Sequence, residues 1–478
     1  MISVSEKQTR NYFKKVLSFF SGKADLGKDR PMTAIIKLAI PSMGLFVFNG
    51  LLHLVDTVYV SWLGETQMAA MSFTAPVNIF IFALLECVGS GAASLMGQHL
   101  GRSDVDSARK ISYSALALLY FVFCLSTPLI IPSVSNSLFT AIGAGESQTL
   151  LDLCWRYNMW MPLMLPFMGF TYIGNSVFRV QGNTLTPFKA IALANTINLV
   201  LDPIMIFTFG WGISGAAIAT LISRIGSTYY LSLKMRKDSQ IIINPFLKIK
   251  SELTLYWKRI LWIGVPIAFS TASVALGMGS INKILSTFGH RMVSSWMLGS
   301  RVEELAFNFI MGINVSFMPY VAFNYGKRDF ERIKNGFKAA YLLGFILMCS
   351  MSVVLYIYPH IILMLFDPLP EIEEMAIRAI RASIPSYPFV IFMFLSTGFF
   401  VGIGNSIYGT ITQLFRSVIF RISAAWFYAK YFDVAHIWWF QSTSNIGGSL
   451  VAAVFFVYLM KRIKIDFGEK KSEVHNSS

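Results

Sequence analysis

Charge is scarce in this chain. Only 14% of its 478 residues are Asp, Glu, Lys or Arg, where soluble domains carry about a quarter, so an ordinary water-soluble domain is excluded. Cysteine is nearly absent. Cys87, Cys124, Cys154 and Cys349 each stand alone in an apolar run, without metal or disulfide spacing, and read as small buried side chains. The six histidines are scattered, with no His-Glu-x-x-His and no paired Asp-rich motif. That argues against a membrane-embedded enzyme, and no catalytic residue or cofactor is expected. No cleavable leader is evident: residues 1–31 hold seven Lys or Arg and only a brief apolar patch around Val16, Leu17, Phe19 and Phe20, which suits an amphipathic surface helix or a solvated tail.

What is abundant is apolar, at 55% of residues. Apolar runs of about 20 residues recur, each long enough to cross a hydrocarbon core of about 30 Å. In lipid the backbone must satisfy itself, so the runs are helices; the short alternating segments of a membrane β-barrel are missing. The expected fold is an all-α integral membrane protein with twelve transmembrane helices. The spans are placed near 33–62, 68–99, 108–133, 150–178, 187–209, 212–234, 256–287, 292–324, 333–362, 372–402, 408–432 and 436–461. The net charge of +15 does not point to nucleic acid, because the basic residues sit in alternate loops. Turns near 64–67, 134–148 and 210–211 lack Lys and Arg, whereas those near 101–110, 234–259 and 326–338 are strongly basic. The positive-inside rule then puts both termini in the cytoplasm of a cell whose inner (plasma) membrane holds the protein. The acidic stretch 366–374 falls outside.

The pattern is written twice. Pro41 recurs as Pro266, Gly64 as Gly289, Gly101 as Gly326 and Asp104 as Asp329, at one offset of 225, and Gly182-Asn183 returns as Gly404-Asn405. Parallel repeats of six spans predict two six-helix lobes related by a pseudo-twofold axis along the membrane normal, as in transporters that alternate around a central site. The expected divisions are a cytoplasmic tail 1–31, an N-lobe 32–234, an inter-lobe loop 235–255, a C-lobe 256–462 and a tail 463–478.

The copies differ in acid. Asp56 and Asp202 lie deep in spans one and five, and their counterparts are Ile281 and Ala424. An ionisable group at membrane depth costs at least about 2.5–3.5 kcal/mol and is a functional candidate by default. Asn198 and Asp202 are four apart and share a helix face; Pro203 frees a carbonyl one turn earlier; Thr220 lies in span six. Such an oxygen cluster suits a hard cation, Na⁺, or a proton shared between carboxylates. Glu86 sits in the middle of span two, where it pairs with Lys283 or Arg421 or else serves as a secondary coupling group. Span four holds Tyr157, Trp160, Met161 and Met164, aromatic and adaptable side chains of the kind that line a broad pocket. Glu303 and Glu304 are placed towards the outer end of span eight, solvated or salt-bridged.

Pro41, Asp56-Thr57 and Leu63-Gly64, then Gln98-His-Leu-Gly101, and above all Asn198 to Asp202-Pro203 followed by Gly212-Ile-Ser-Gly215-Ala-Ala-Ile-Ala-Thr220, resemble the multidrug and toxic compound extrusion (MATE) transporters of prokaryotic type. The resemblance runs over about 33–462. It implies a secondary active exporter driven by H⁺ and/or Na⁺, with a cation site at Asp56, Asn198, Asp202 and Thr220, a helix kink at Pro41, and Tyr157 and Asn175 lining the same cavity. Span seven lacks the acid that some members carry, so coupling through the C-lobe is not expected. The implied cargo is organic, cationic or amphipathic; the partners are small molecules and membrane lipids, and the protein is expected to be a monomer. The alternative is a lipid-linked carrier flippase, whose relatives often have fourteen spans and a basic cavity.

Overall fold

The computed structural model describes residues 23–145, 147–243, 254–364, 369–432 and 434–476. The apolar patch at 16–20, the Asn244-Pro245 turn and Asp367 lie outside them. Among the described residues the chain is helical, with no β-sheet, and all twelve expected spans are present. They are α1 (Pro31–Ser61), α2 (Glu65–Gly101), α3 (Val105–Cys124), α4 (Gln148–Asn158 and Met161–Val180), α5 (Leu185–Pro203), α6 (Gly212–Asp238), α7 (Trp257–Ser286), α8 (His290–Gly326), α9 (Phe330–Ile357), α10 (Pro370–Ser383 and Tyr387–Gly402), α11 (Ile407–Leu414, the wide turn Phe415–Phe420, and Arg421–Tyr431) and α12 (Phe440–Asn476). Two details differ from expectation. The region 134–148 is not a plain turn but holds a short helix, Pro132–Phe139, and α12 continues through most of the stretch assigned to a tail.

The membrane explains the surface. Phe80 is 64% exposed and Trp262 76%. These residues sit on long apolar helices, and among the described residues eight helices are long and apolar enough to cross a bilayer. In water such faces would drive aggregation; in lipid they are the solvated surface.

The sequence repeat is a repeat of backbone geometry. Ser103 and Arg328 both adopt positive φ, 62° and 60°. One residue later Asp104 accepts from the Ser107 amide at 3.0 Å, and Asp329 from the Arg332 amide at 3.1 Å. Each carboxylate caps the next helix, satisfying a donor that the first turn cannot. Gly64 and Gly289, at φ 110° and 107°, open α2 and α8. A side chain there would be strained, which is why glycine recurs.

The chain divides into two compact units, Gly44–Gly264 and the combination of Met1–Met43 with Val265–Ser478. The boundaries fall inside α1 and α7, close to Pro41 and Pro266. In the C-terminal unit the first part of α1 packs directly on α8. A Cβ at Gly312 would lie 2.5 Å from the Met43 backbone, and the Ser316 hydroxyl bridges to Leu38 O at 2.9 Å and Ser42 Oγ at 2.8 Å. Pro41 itself cannot donate to the Lys37 carbonyl. The core of this unit is aromatic-rich, with Phe317, Tyr320, Phe399 and Phe400 fully buried. In the N-terminal unit the first turns of α7 lie against α2, where Gly264 admits the Cys87 carbonyl and Gly91 the Ile260 carbonyl. Close backbone approach between small residues is how helices associate without a hydrophobic drive. Cys87 and Cys154 are buried as expected, but Cys124 is exposed and Cys349 half-buried.

Candidate functional site

In the N-terminal unit α1, α5 and α6 bring the predicted polar residues together. Asp202 is 2% exposed and Asn198 5%. The Asn198 amide donates to Asp202 Oδ1 at 2.8 Å and reaches Thr220 Oγ1 at 3.5 Å. Asp56, half-buried on α1, makes a carboxyl-to-carboxyl contact with Asp202. The Thr220 hydroxyl donates back to the Ala216 carbonyl at 3.0 Å, so its lone pairs stay directed outward. Pro203 ends regular α5, and a wide turn, Ile204–Thr208, follows, consistent with the missing amide donor.

Sequence reasoning missed Arg224. It lies one turn beyond Thr220 on α6, within electrostatic range of Asp56, and its Nε has no hydrogen-bond partner among the described residues. The i, i+4 spacing from Thr220 was the available signal. The cluster therefore holds two carboxyl groups against one guanidinium.

The other candidates separate. Tyr157 lies beside Asp56 and Asp202. Trp160 Nε1 is buried without a partner, and Met164, 3% exposed, belongs to the packed interior. Asn175 is buried with an unpartnered Oδ1, but it sits about 27 Å of helical rise along α4 from Tyr157, outside the acid cluster. Pro41 belongs to the C-terminal unit. Glu86 has its hydrogen-bond partners within its own unit. Its carboxylate accepts from Ser90 Oγ at 2.7 Å and from the Tyr172 hydroxyl, with Arg179 close by. The Tyr172 ring reaches Glu86 because Gly89 leaves room for it.

The C-terminal unit corrects one placement. Glu303 is not at a solvated outer end: it is 4% exposed, well inside α8, and it accepts from Gln441 Nε2 at 3.3 Å. Glu304 is the exposed neighbour, paired with Arg301 at 3.2 Å. Facing Glu303 across the interior are Arg416 and Arg421 of α11, 6% and 4% exposed. Arg416 Nη1 donates to Asn445 Oδ1 at 2.9 Å, and Asn445 donates to Ser386 Oγ at 2.9 Å.

Twelve helices in two repeated units, with ionisable groups buried at membrane depth, define a multi-pass membrane transporter rather than an enzyme. The MatE family profile matches residues 41–204 and 266–427, and the chain belongs to that family. It is 28% identical over 349 residues to a protein described as "FAD transporter" from Shewanella oneidensis, covering 71% of this chain and 75% of that one. It is 25% identical to the "Multidrug export protein MepA" of Staphylococcus aureus, over 91% of this chain and 96% of that one. Among solved structures, an outward-facing multidrug resistance MATE transporter superposes with a TM-score of 0.84 at 24% identity, covering 92% of this chain and 98% of that structure. A transporter of the same superfamily from Pyrococcus furiosus gives 0.83 at 23% identity, covering 94% and 98%.

Proposed function

We propose that the protein is a secondary active exporter that exchanges H⁺ or Na⁺ for an amphipathic organic compound, with Asp56 and Asp202 as the coupling pair. The observation that carries this reading is the contact between the two carboxyl groups in the interior of the N-terminal unit. Two carboxylates at contact repel unless a proton or metal cation lies between them, and oxygen ligands are what a hard cation takes. Asn198 and Thr220 complete the ring, and Arg224 offsets one of the two charges. Cation entry then favours one conformation and cation loss the other, because the ion binds one of them better. The two six-span lobes, 32–234 and 256–462, rearrange with bending of α1 near Pro41, where proline has removed a helix bond. Both termini face the cytoplasm, and the protein works as a monomer in the inner (plasma) membrane. Relatives described as a multidrug export protein and as an FAD transporter support amphipathic, ring-bearing cargo.

The test is efflux from liposomes with imposed H⁺ or Na⁺ gradients. Asp202→Asn and Asp56→Asn are expected to reduce gradient-driven transport to the level of empty liposomes while the protein still inserts and purifies, since each swap conserves volume. Near wild-type transport by both variants would remove the pair from coupling and turn attention to Glu86.

A further inference from the structure

Arg421 is buried at membrane depth with no hydrogen bond from its guanidinium to any described residue, and its Nε is sealed from solvent. Arg416, five residues earlier, uses one nitrogen on Asn445 and leaves its own Nε unpartnered. Glu303 comes within ion-pair distance of neither; it is held instead by Gln441 and Ser383. Gln441 adds an unpartnered Oε1. Two guanidinium groups thus face one carboxylate that attracts both but forms a close ion pair with neither.

Both arginines lie about nine or more residues, or roughly 13 Å of rise, from either end of α11, and they are buried in the unit, so neither snorkels to an interface. A buried charge without partners costs several kcal/mol, and an intramembrane arginine is retained for what it binds. A planar fork of donors fits carboxylate or phosphate best.

Neither arginine lines the groove beside them on α11, but Phe420 follows Arg416 by four residues and Ala424 follows Arg421 by three, so the groove begins within one helical turn of each. This open groove of about 860 Å³ is lined by Ile284, Phe420, Ala424, Phe427, Tyr428 and Thr443, with Trp426 at its side. That volume lies within the range of small-molecule sites. Its walls are aromatic, and its polar groups are few.

We propose that the C-terminal unit binds the oxyanion of an aromatic organic anion, phosphate or carboxylate, between Arg416 and Arg421, with the ring in the α11 groove. The cargo is then amphipathic with a negative head, while the N-terminal acids hold the coupling cation. The inference rests on the export reading for its driving force, but its geometry is independent of Asp56 and Asp202.

The experiment uses the full chain in phosphatidylcholine liposomes with FMN and riboflavin, one ring system with and without a phosphate. Wild-type protein is expected to carry FMN in preference. Arg421→Gln should lower FMN transport relative to riboflavin at least about 10-fold, Arg421→Lys should recover part of it, and inorganic phosphate should compete only weakly. FMN binding to the solubilised protein, read by flavin fluorescence, should weaken similarly in Arg421→Gln and in Arg416→Gln, so that a transport defect is separable from a binding defect and one poorly folding variant does not decide the matter. Asp202→Asn should abolish transport of both flavins yet leave FMN binding in place. Equal loss of FMN and riboflavin, no preference for FMN in the wild type, or unchanged FMN binding in both arginine variants would overturn the proposal. Stopping of binding by inorganic phosphate alone, at concentrations comparable to FMN, would overturn the ring's part in it. FMN transport that survives Asp202→Asn but not Arg421→Gln would defeat the coupling reading and leave the anion site standing.

Discussion

Where α1, α5 and α6 meet, the N-terminal unit holds Asp56, Asn198, Asp202 and Thr220. Where α7, α11 and α12 meet, the C-terminal unit holds Ile281, Phe420, Ala424 and Thr443. The scaffold around them is the same in both, down to the positive-φ turn residues and the capping aspartates. The first place is a polar ring with an excess of one carboxyl group; the second is an apolar groove, and the unit's buried charge has moved to Glu303, Arg416 and Arg421, with an excess of one guanidinium. The difference shows which parts of a duplicated fold are free to change. Turn glycines and caps fix the backbone path in each copy and so recur. Side chains that point into the unit's interior only have to satisfy one another, and so they diverged in sign.

Restoring acid to the second place is the strongest way to break this contrast. Ile281→Asp puts a carboxylate into an apolar cluster with Leu285, Trp296 and Phe440, with no Asn or second acid to receive it. The insertion penalty of about 2.5–3.5 kcal/mol is expected to appear as a lower Tm in detergent, with no recovery of transport when combined with Asp202→Asn. A stable variant that restores coupling would mean that this place is a dormant cation site.

Gly312→Ala tests whether the start of α1 belongs to the C-terminal unit. The added methyl meets the Met43 backbone rather than a flexible side-chain end, and overpacking of this kind costs about 1–3 kcal/mol. Thermal unfolding that does not change would show that α1 is loosely held there.

The smallest effects should come from the shared caps, slightly larger at Asp104, which also meets the His99 ring at 2.9 Å, than at Asp329. Asp104→Ala and Asp329→Ala are each expected to cost about 1 kcal/mol, measured by Tm at neutral pH. The Asp104 carboxyl is held down to about 2 by the Ser107 amide, then by the Ser107 hydroxyl and the His99 ring. Because that lies below its ordinary value of 3.8, the stabilisation is complete above about pH 4 and is lost as pH falls towards 2. The gap between Asp104→Ala and wild type should therefore close over that window and stay constant above it.

The sequence by itself determined the number and approximate places of the spans, because twenty apolar residues in lipid can do little but form a helix. It also determined the repeat and its turns, since glycine and aspartate recur where backbone geometry demands them, and the Asn198–Asp202 pair, since four residues on one helix always meet. Only the tertiary structure decided what crosses from one helix to another. Helical periodicity fixes which residues share a face but not which way that face points, and in a membrane the lipid-facing and core-facing sides are both apolar, so hydropathy does not orient them. For that reason Glu303 read as peripheral and proved buried, and the bond between Glu86 and the Tyr172 hydroxyl could not be read from the sequence. For the same reason the placement of Arg224 beside Asp56, and of Arg421 without a hydrogen bond among the described residues, was decided only when the helices packed.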